Sequence, residues 1–200
     1  MAIDDTEGKF EQLYLHVDGY AISKKAISKL SRYYSGYMYG EITYRGFLRM
    51  LAMARPKKNE VFYDLGSGTG KVVILAAMLA NFSKVVGVEI FQELLDASQK
   101  VLDHYKELSG LNNSFSQSVV FIHGNFNDVD FSEADVIFMN ATAWSYEFGV
   151  PFIRKLEQLK KGARIITSTL VIKSNKFKIN PIGSIDFSWG DEEVFIHEKI

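Results

Sequence analysis

A chain of 200 residues with 47% apolar residues suits a single domain with a sizeable core, and 24% charged residues suit a water-exposed surface. The formal net charge is only −1, so no overall field draws the chain to nucleic acid or anionic lipid, and nucleic acid is not an expected partner. Cysteine is absent, which excludes disulfides, thiolate metal sites and a cysteine nucleophile.

The histidines, His16, His104, His123 and His197, lie far apart without ligand spacing, so no metal site is expected. The N-terminus, MAIDDTEGKF, is acidic and lacks the apolar run of a signal peptide. No stretch approaches the roughly 18 consecutive apolar residues of a membrane span. The expectation is a soluble, cytoplasmic protein of unspecified oligomeric state.

In chain order, Ala21, Ile22, Ala26, Ile27 and Leu30 recur at helical spacing and predict a helix from about Asp18 to Tyr34, with Lys24, Lys25 and Lys29 on its wet face. SGYMYGE reads as a tyrosine-rich turn, and ITYRGFLRMLAMA as a second helix that stops before Pro56. From Glu60 strands alternate with helices. VFYDL (61–65), KVVGVEI (84–90), SVVFIHG (118–124), ADVIFMN (134–140) and ARIITSTLVI (163–172) are β-branched and almost continuously apolar, as expected of a parallel sheet covered on both faces. KVVILAAMLANF (71–82), FQELLDASQKVLDHYKEL (91–108) and a segment from Gly149 to Leu159 are the intervening helices. KFKINPIGSIDFSW and EEVFIHEKI then read as two strands meeting through WGDEE, an antiparallel hairpin at one edge. The predicted architecture is α/β: a doubly wound, mostly parallel seven-stranded Rossmann-like sheet with that C-terminal hairpin. A short helical annex, residues 1–41, precedes the α/β domain, residues 42–200. By topology this resembles class I methyltransferases.

The loop after the first strand, DLGSGTGK, narrows the ligand. A P-loop needs G-x-x-x-x-G-K-[ST], but Leu65 stands at the first glycine and Val72 at the hydroxyl position. A dinucleotide fold wants G-x-G-x-x-G, and here Lys71 takes the place of the third glycine after Gly66 and Gly68. S-adenosylmethionine remains. Its methionine end carries an ammonium and a carboxylate rather than a pyrophosphate. Asp64 suits the ammonium region, and Gly66, Ser67, Gly68, Thr69 and Gly70 let backbone approach the ligand. Free N–H groups where the next helix begins, at Lys71, suit the carboxylate. Glu89, closing the second strand, accepts both ribose hydroxyls. In HGNFND, Asn125 meets the adenine edge and Phe126 packs on its face.

Together with two further segments, these residues resemble the disruptor-of-telomeric-silencing family of non-SET histone-lysine methyltransferases. The family's YGE loop is similar to Tyr39, Gly40 and Glu41, and its DLGSG-x-G to Asp64 through Gly70. Its GVE resembles Gly87, Val88 and Glu89, its GDF Gly124, Asn125 and Phe126, and its VIFVN Val136 to Asn140 with Trp144 beyond. KKGARIITS and the pair Ser188–Trp189 ahead of Val194 match later family segments. The resemblance implies S-adenosylmethionine-dependent methylation of a lysine amine on a protein partner. It implies that Tyr39 and Glu41 close over the methionine moiety, with Glu41 facing its ammonium. It places Asn140 beside the transferred methyl and makes Trp144 an apolar wall of the amine channel. The sequence departs from the family at Asn125, an aspartate there, at Ile42, at Ala141 and Thr142, and at Val194 and Phe195 where the family brings tyrosines. The residues alone leave open methylation of RNA or a small molecule, or a non-catalytic cofactor-binding protein.

Overall fold

The computed structural model describes residues 5–31, 35–109, 118–142 and 146–200. Its centre is a seven-stranded sheet of β1 (Val61–Leu65), β2 (Lys84–Glu89), β3 (Ser118–His123), β4 (Val136–Met139), β5 (Arg164–Ser168), β6 (Phe177–Phe187) and β7 (Gly190–Lys199). The order is β3-β2-β1-β4-β5-β7-β6. The first five strands pair in parallel, and β7 runs antiparallel to both β5 and β6. This is the predicted architecture, including the edge hairpin.

The near-continuous apolar strands serve two cores, because successive side chains leave a strand on opposite faces. Phe62, Val85, Val136, Phe138 and Ile166 enter one cluster, while Tyr63, Val86, Ile137, Met139 and Ile165 enter the other. Helices α1 (Thr6–Tyr14), α3 (Tyr44–Ala54), α4 (Lys71–Leu79) and α5 (Gln92–Leu108) feed the first cluster. Helix α6 (Tyr146–Leu156) covers the second with Phe152 and Leu156. Phe47 of α3 is fully buried and meets Phe62 and Phe138 edge-on, with ring centroids 6.2 and 6.1 Å away. Replacing such a ring by alanine costs about 3–5 kcal/mol, so α3 is welded to the sheet. Phe10, Leu13 and Tyr14 of α1 join the same cluster, and thereby hold the N-terminal segment against the sheet.

Several element bounds differ from expectation. Helix α1 was not anticipated: its apolar residues Phe10, Leu13 and Tyr14 do keep i, i+3, i+4 spacing, within an acidic context. Helix α2 (Gly19–Ile27) is capped by the Asp18 side chain, which accepts from Ala21 N–H, and stops before Tyr34. There the Ser28 hydroxyl donates to the Lys25 carbonyl and the chain tightens into i→i−3 bonds. Strand β5 ends at Ser168, because Thr169 turns into the left-handed region at φ +54. Helix α6 begins and ends three residues earlier than expected. Tyr33, Tyr34 and Trp144 lie outside the described residues.

Candidate active site

The sheet reverses its strand order between β1 and β4, and the carboxyl ends of such strands open onto a crevice. A cavity of about 120 Å³ occupies it, with Glu41, Asp64, Gly68, Glu89, Asn125 and Asn140 among its walls. The loop leaving β1 is tied to β2: Gly66 and Ser67 both donate N–H to the Val88 carbonyl, at 2.9 and 3.0 Å. Gly68 has φ +55, and a Cβ there would stand 2.7 Å from the Tyr39 ring, so both backbone and space demand glycine. Gly70 caps α4 at φ +80 and lets the loop approach Ser98 and Phe121.

Two carboxylates lie under this loop. Glu89 is 5% exposed; its Oε2 accepts Gly68 N–H at 2.8 Å and its Oε1 accepts Phe91 N–H at 2.9 Å. Burial pushes its carboxyl above the usual range, and those N–H bonds oppose the shift. Asp64, also buried, is raised well above the carboxylate range by burial and then by the charge of Glu89. Among the described residues, the buried Ser67 Oγ has no hydrogen-bond partner. A pocket that concentrates carboxylates disfavours a pyrophosphate, and the unsatisfied Ser67 hydroxyl calls for a polar ligand atom. The pocket suits a ligand bearing a cation and hydroxyl donors.

The YGE segment forms the wall facing the loop. Tyr39 donates its hydroxyl to Glu41 Oε1 at 2.7 Å and lies 3.0 Å from Thr69 Oγ1, and burial raises its phenol well above the ordinary range. Lys71, the first residue of α4, pairs with Glu41 Oε2 at 2.5 Å and sits 5.2 Å above the Tyr14 ring. Tyr14 in turn donates to the Thr69 carbonyl at 3.2 Å. Helix α1 therefore braces the glycine loop from behind.

On the far side, Asn125 and Phe126 lie on the turn after β3. Asn125 Oδ1 is engaged within that turn by the backbone and side-chain N–H groups of Asn127, at 2.9 and 3.0 Å. Phe126 packs edge-on against Phe152 at 5.0 Å. Lys155 of α6 anchors the turn, donating to the carbonyls of Phe126, Asn127 and Val129 at 3.3, 2.6 and 2.6 Å.

Asn140 follows β4 directly. Its Oδ1 accepts from Ser168 Oγ at 2.6 Å and Thr142 Oγ1 at 3.0 Å, and Ser168 Oγ accepts Ala141 N–H at 2.9 Å. Beyond Asn140 a second cavity of about 260 Å³ is lined by Tyr20, Thr142, Trp189 and Glu192, and it shares Gly36, Met38, Tyr39, Gly40 and Asn140 with the first. The structure thus gathers Tyr39, Gly40, Glu41, Asp64, Gly66, Ser67, Gly68, Thr69, Lys71, Glu89, Asn125, Phe126 and Asn140 around one crevice, with Gly70 just behind the loop. Sequence reasoning missed Lys155 and Glu192, and met Ser168 only as the last residue of KKGARIITS. It noted Trp189 as part of a motif without giving it a place. None sits in a local pattern that announces such a role.

The profile of the family described as histone methylation protein DOT1 matches residues 20–186. The chain belongs to this family. Among its relatives is a protein-lysine N-methyltransferase of Saccharolobus islandicus, 33% identical over 62% of this chain and 71% of that protein. An H3 lysine-79 specific histone-lysine N-methyltransferase of Dictyostelium discoideum is 30% identical over 80% of this chain, which spans only 9% of that much longer protein. Among solved structures, an RNA methyltransferase of Salinibacter ruber in complex with S-adenosyl-L-homocysteine superposes with a TM-score of 0.58. It is 26% identical, covering 76% of this chain and 89% of that one. This DOT1-family chain is a methyltransferase.

Proposed function

We propose that the protein transfers a methyl group from S-adenosylmethionine to the side-chain amine of a lysine in a protein substrate. The observation that carries this reading is the junction at Tyr39, Gly40 and Asn140, where the carboxylate-lined crevice adjoins a second cavity walled by aromatic and apolar groups.

The residues present fit the cofactor. Glu89 receives the ribose hydroxyls, and Ser67 Oγ, buried without a partner among the described residues, gains one. Glu41 and Asp64 favour the ammonium. Lys71 and the first N–H groups of α4 favour the carboxylate. Because Asn125 Oδ1 is committed to Asn127, its amide N–H₂ is the group left to donate to an adenine ring nitrogen. Phe126 supplies an apolar face. When bound, S-adenosylmethionine supplies an electrophilic methyl on its sulfonium. The protein's task is then to hold a neutral amine in line, which needs little acid–base apparatus. A cavity walled by Tyr20, Met38 and Trp189 strips water from an alkylammonium and lowers its pKa, favouring the nucleophilic amine. Asn140, its oxygen pinned by Ser168 and Thr142, fixes the boundary between the two cavities.

Radiolabelled S-adenosylmethionine with a whole-cell lysate tests the reading. Labelled protein that yields methyllysine on hydrolysis supports it. Label confined to RNA would replace it with RNA methylation, and no label at all would leave a cofactor-binding protein. Asn140→Ala should retain S-adenosylhomocysteine binding by calorimetry and lose turnover; unchanged turnover makes Asn140 structural.

A further inference from the structure

We propose that Glu192 is the docking group for the acceptor: its carboxylate receives the substrate as an ammonium cation at the mouth of the second cavity. A positively charged primary amine is then the chemical class the cavity admits; Glu192 holds it as the ammonium on entry, and its proton passes to water before the neutral nitrogen meets the methyl group. The inference rests on the lysine reading above and explains how that acceptor is selected.

Glu192 lies just past the β6–β7 turn and, among the described residues lining this cavity, carries the one carboxylate, with no lysine or arginine beside it. Its Oε1 accepts the Trp189 indole N–H at 2.8 Å. That bond holds the indole against Gly40, where any added Cβ would collide with the ring. Opposite, Tyr20 packs edge-on against Tyr39 at 5.3 Å, and its hydroxyl is 2.6 Å from Ser188 Oγ. A carboxylate that lines a cavity together with the rings of Tyr20, Tyr39 and Trp189 attracts a cation by charge, to which ring quadrupoles add, and repels a phosphate. The same carboxylate keeps Trp189 in place, so one side chain shapes the cavity and chooses the sign of what enters. The chain's net charge of −1 offers no such discrimination at long range, so selection falls to the mouth itself.

The test uses the full chain saturated with S-adenosylhomocysteine and a fluorescein-labelled deca-lysine peptide, followed by anisotropy. Methyl transfer from labelled S-adenosylmethionine to the same peptide is measured in parallel. Glu192→Gln keeps an oxygen for the Trp189 indole and removes only the charge. It should weaken peptide binding and raise the acceptor KM at least tenfold, with kcat within threefold and S-adenosylhomocysteine affinity unchanged. Glu192→Lys should abolish peptide binding. If Glu192→Gln leaves peptide affinity and KM unchanged while wild-type protein methylates lysine, the docking role is overturned and the lysine reading stands. Wild-type protein that methylates no lysine in the peptide or in lysate protein overturns both.

Discussion

Ser168 offers the sharpest separation of structure from catalysis. It is fully buried at the end of β5, where its hydroxyl donates to Asn140 Oδ1 at 2.6 Å and accepts Ala141 N–H at 2.9 Å. Ser168→Ala strands that N–H, on a residue only 3% exposed, at a cost of about 1–3 kcal/mol. With a urea dependence of about 2 kcal/mol per molar, the unfolding midpoint should fall by about 1 M. The kinetic effect is distinct. Asn140 keeps the Thr142 hydroxyl at 3.0 Å, so it is loosened rather than freed. A loss of about 1.4 kcal/mol in transition-state positioning corresponds to roughly tenfold in kcat. Single-turnover methyl transfer to deca-lysine measures the rate, and calorimetry with S-adenosylhomocysteine should show affinity within twofold of wild type. Ser168→Cys, a weaker donor of similar size, should restore part of the rate. A lower midpoint with an unchanged kcat would refute the positioning argument and leave Ser168 a packing residue.

His197 sits fully buried in β7, its Nε2 accepting Ile172 N–H at 3.0 Å while Nδ1 faces the Ile165 carbonyl, and burial pushes its pKa down to about 4. Unfolded histidine titrates near 6.5, so between these values the unfolded chain binds a proton that the folded chain refuses, and stability falls as pH falls. Urea unfolding at pH 5 should show about 2 kcal/mol less stability from this group than at pH 7, a difference absent in His197→Asn; equal pH slopes would contradict it. Gly68→Arg forces a side chain at φ +55 into the Tyr39 ring and the crevice, so S-adenosylhomocysteine binding should vanish by calorimetry, and normal affinity would disprove the placement. Lys71→Met leaves Glu41, whose side chain is 12% exposed, without its ammonium partner. The cost is about 1–2 kcal/mol, read as a melting temperature lower by about 3–6 °C; an unchanged value would mean that the pair is energetically idle.

What the amino-acid order determined on its own is what short-range geometry dictates. The near-continuous β-branched apolar runs specified strands with two buried faces. The spacing of Gly66, Gly68 and Gly70 behind Asp64 specified a strand, a tight loop and a helix start, and Glu89 closing the next strand followed from the same βαβ register. Helix α1 escaped that reading: Phe10, Leu13 and Tyr14 keep helical spacing, but only one turn of it, in an acidic setting. The contacts that complete the crevice belong to tertiary structure. Lys155 meets the turn at 126–129 because α6 packs over that face of the sheet. Ser168 meets Asn140 because β5 lies beside β4 in a register that brings Thr167 opposite Met139. Trp189 meets Gly40, and Glu192 lines the cavity beside them, because β7 inserts antiparallel between β5 and β6 and delivers the hairpin turn to the crevice. Hydrophobic pattern tells each strand which faces to bury. It carries no term for which strand will be its neighbour, and these side chains are far apart along the chain, so only the closed sheet brings them together.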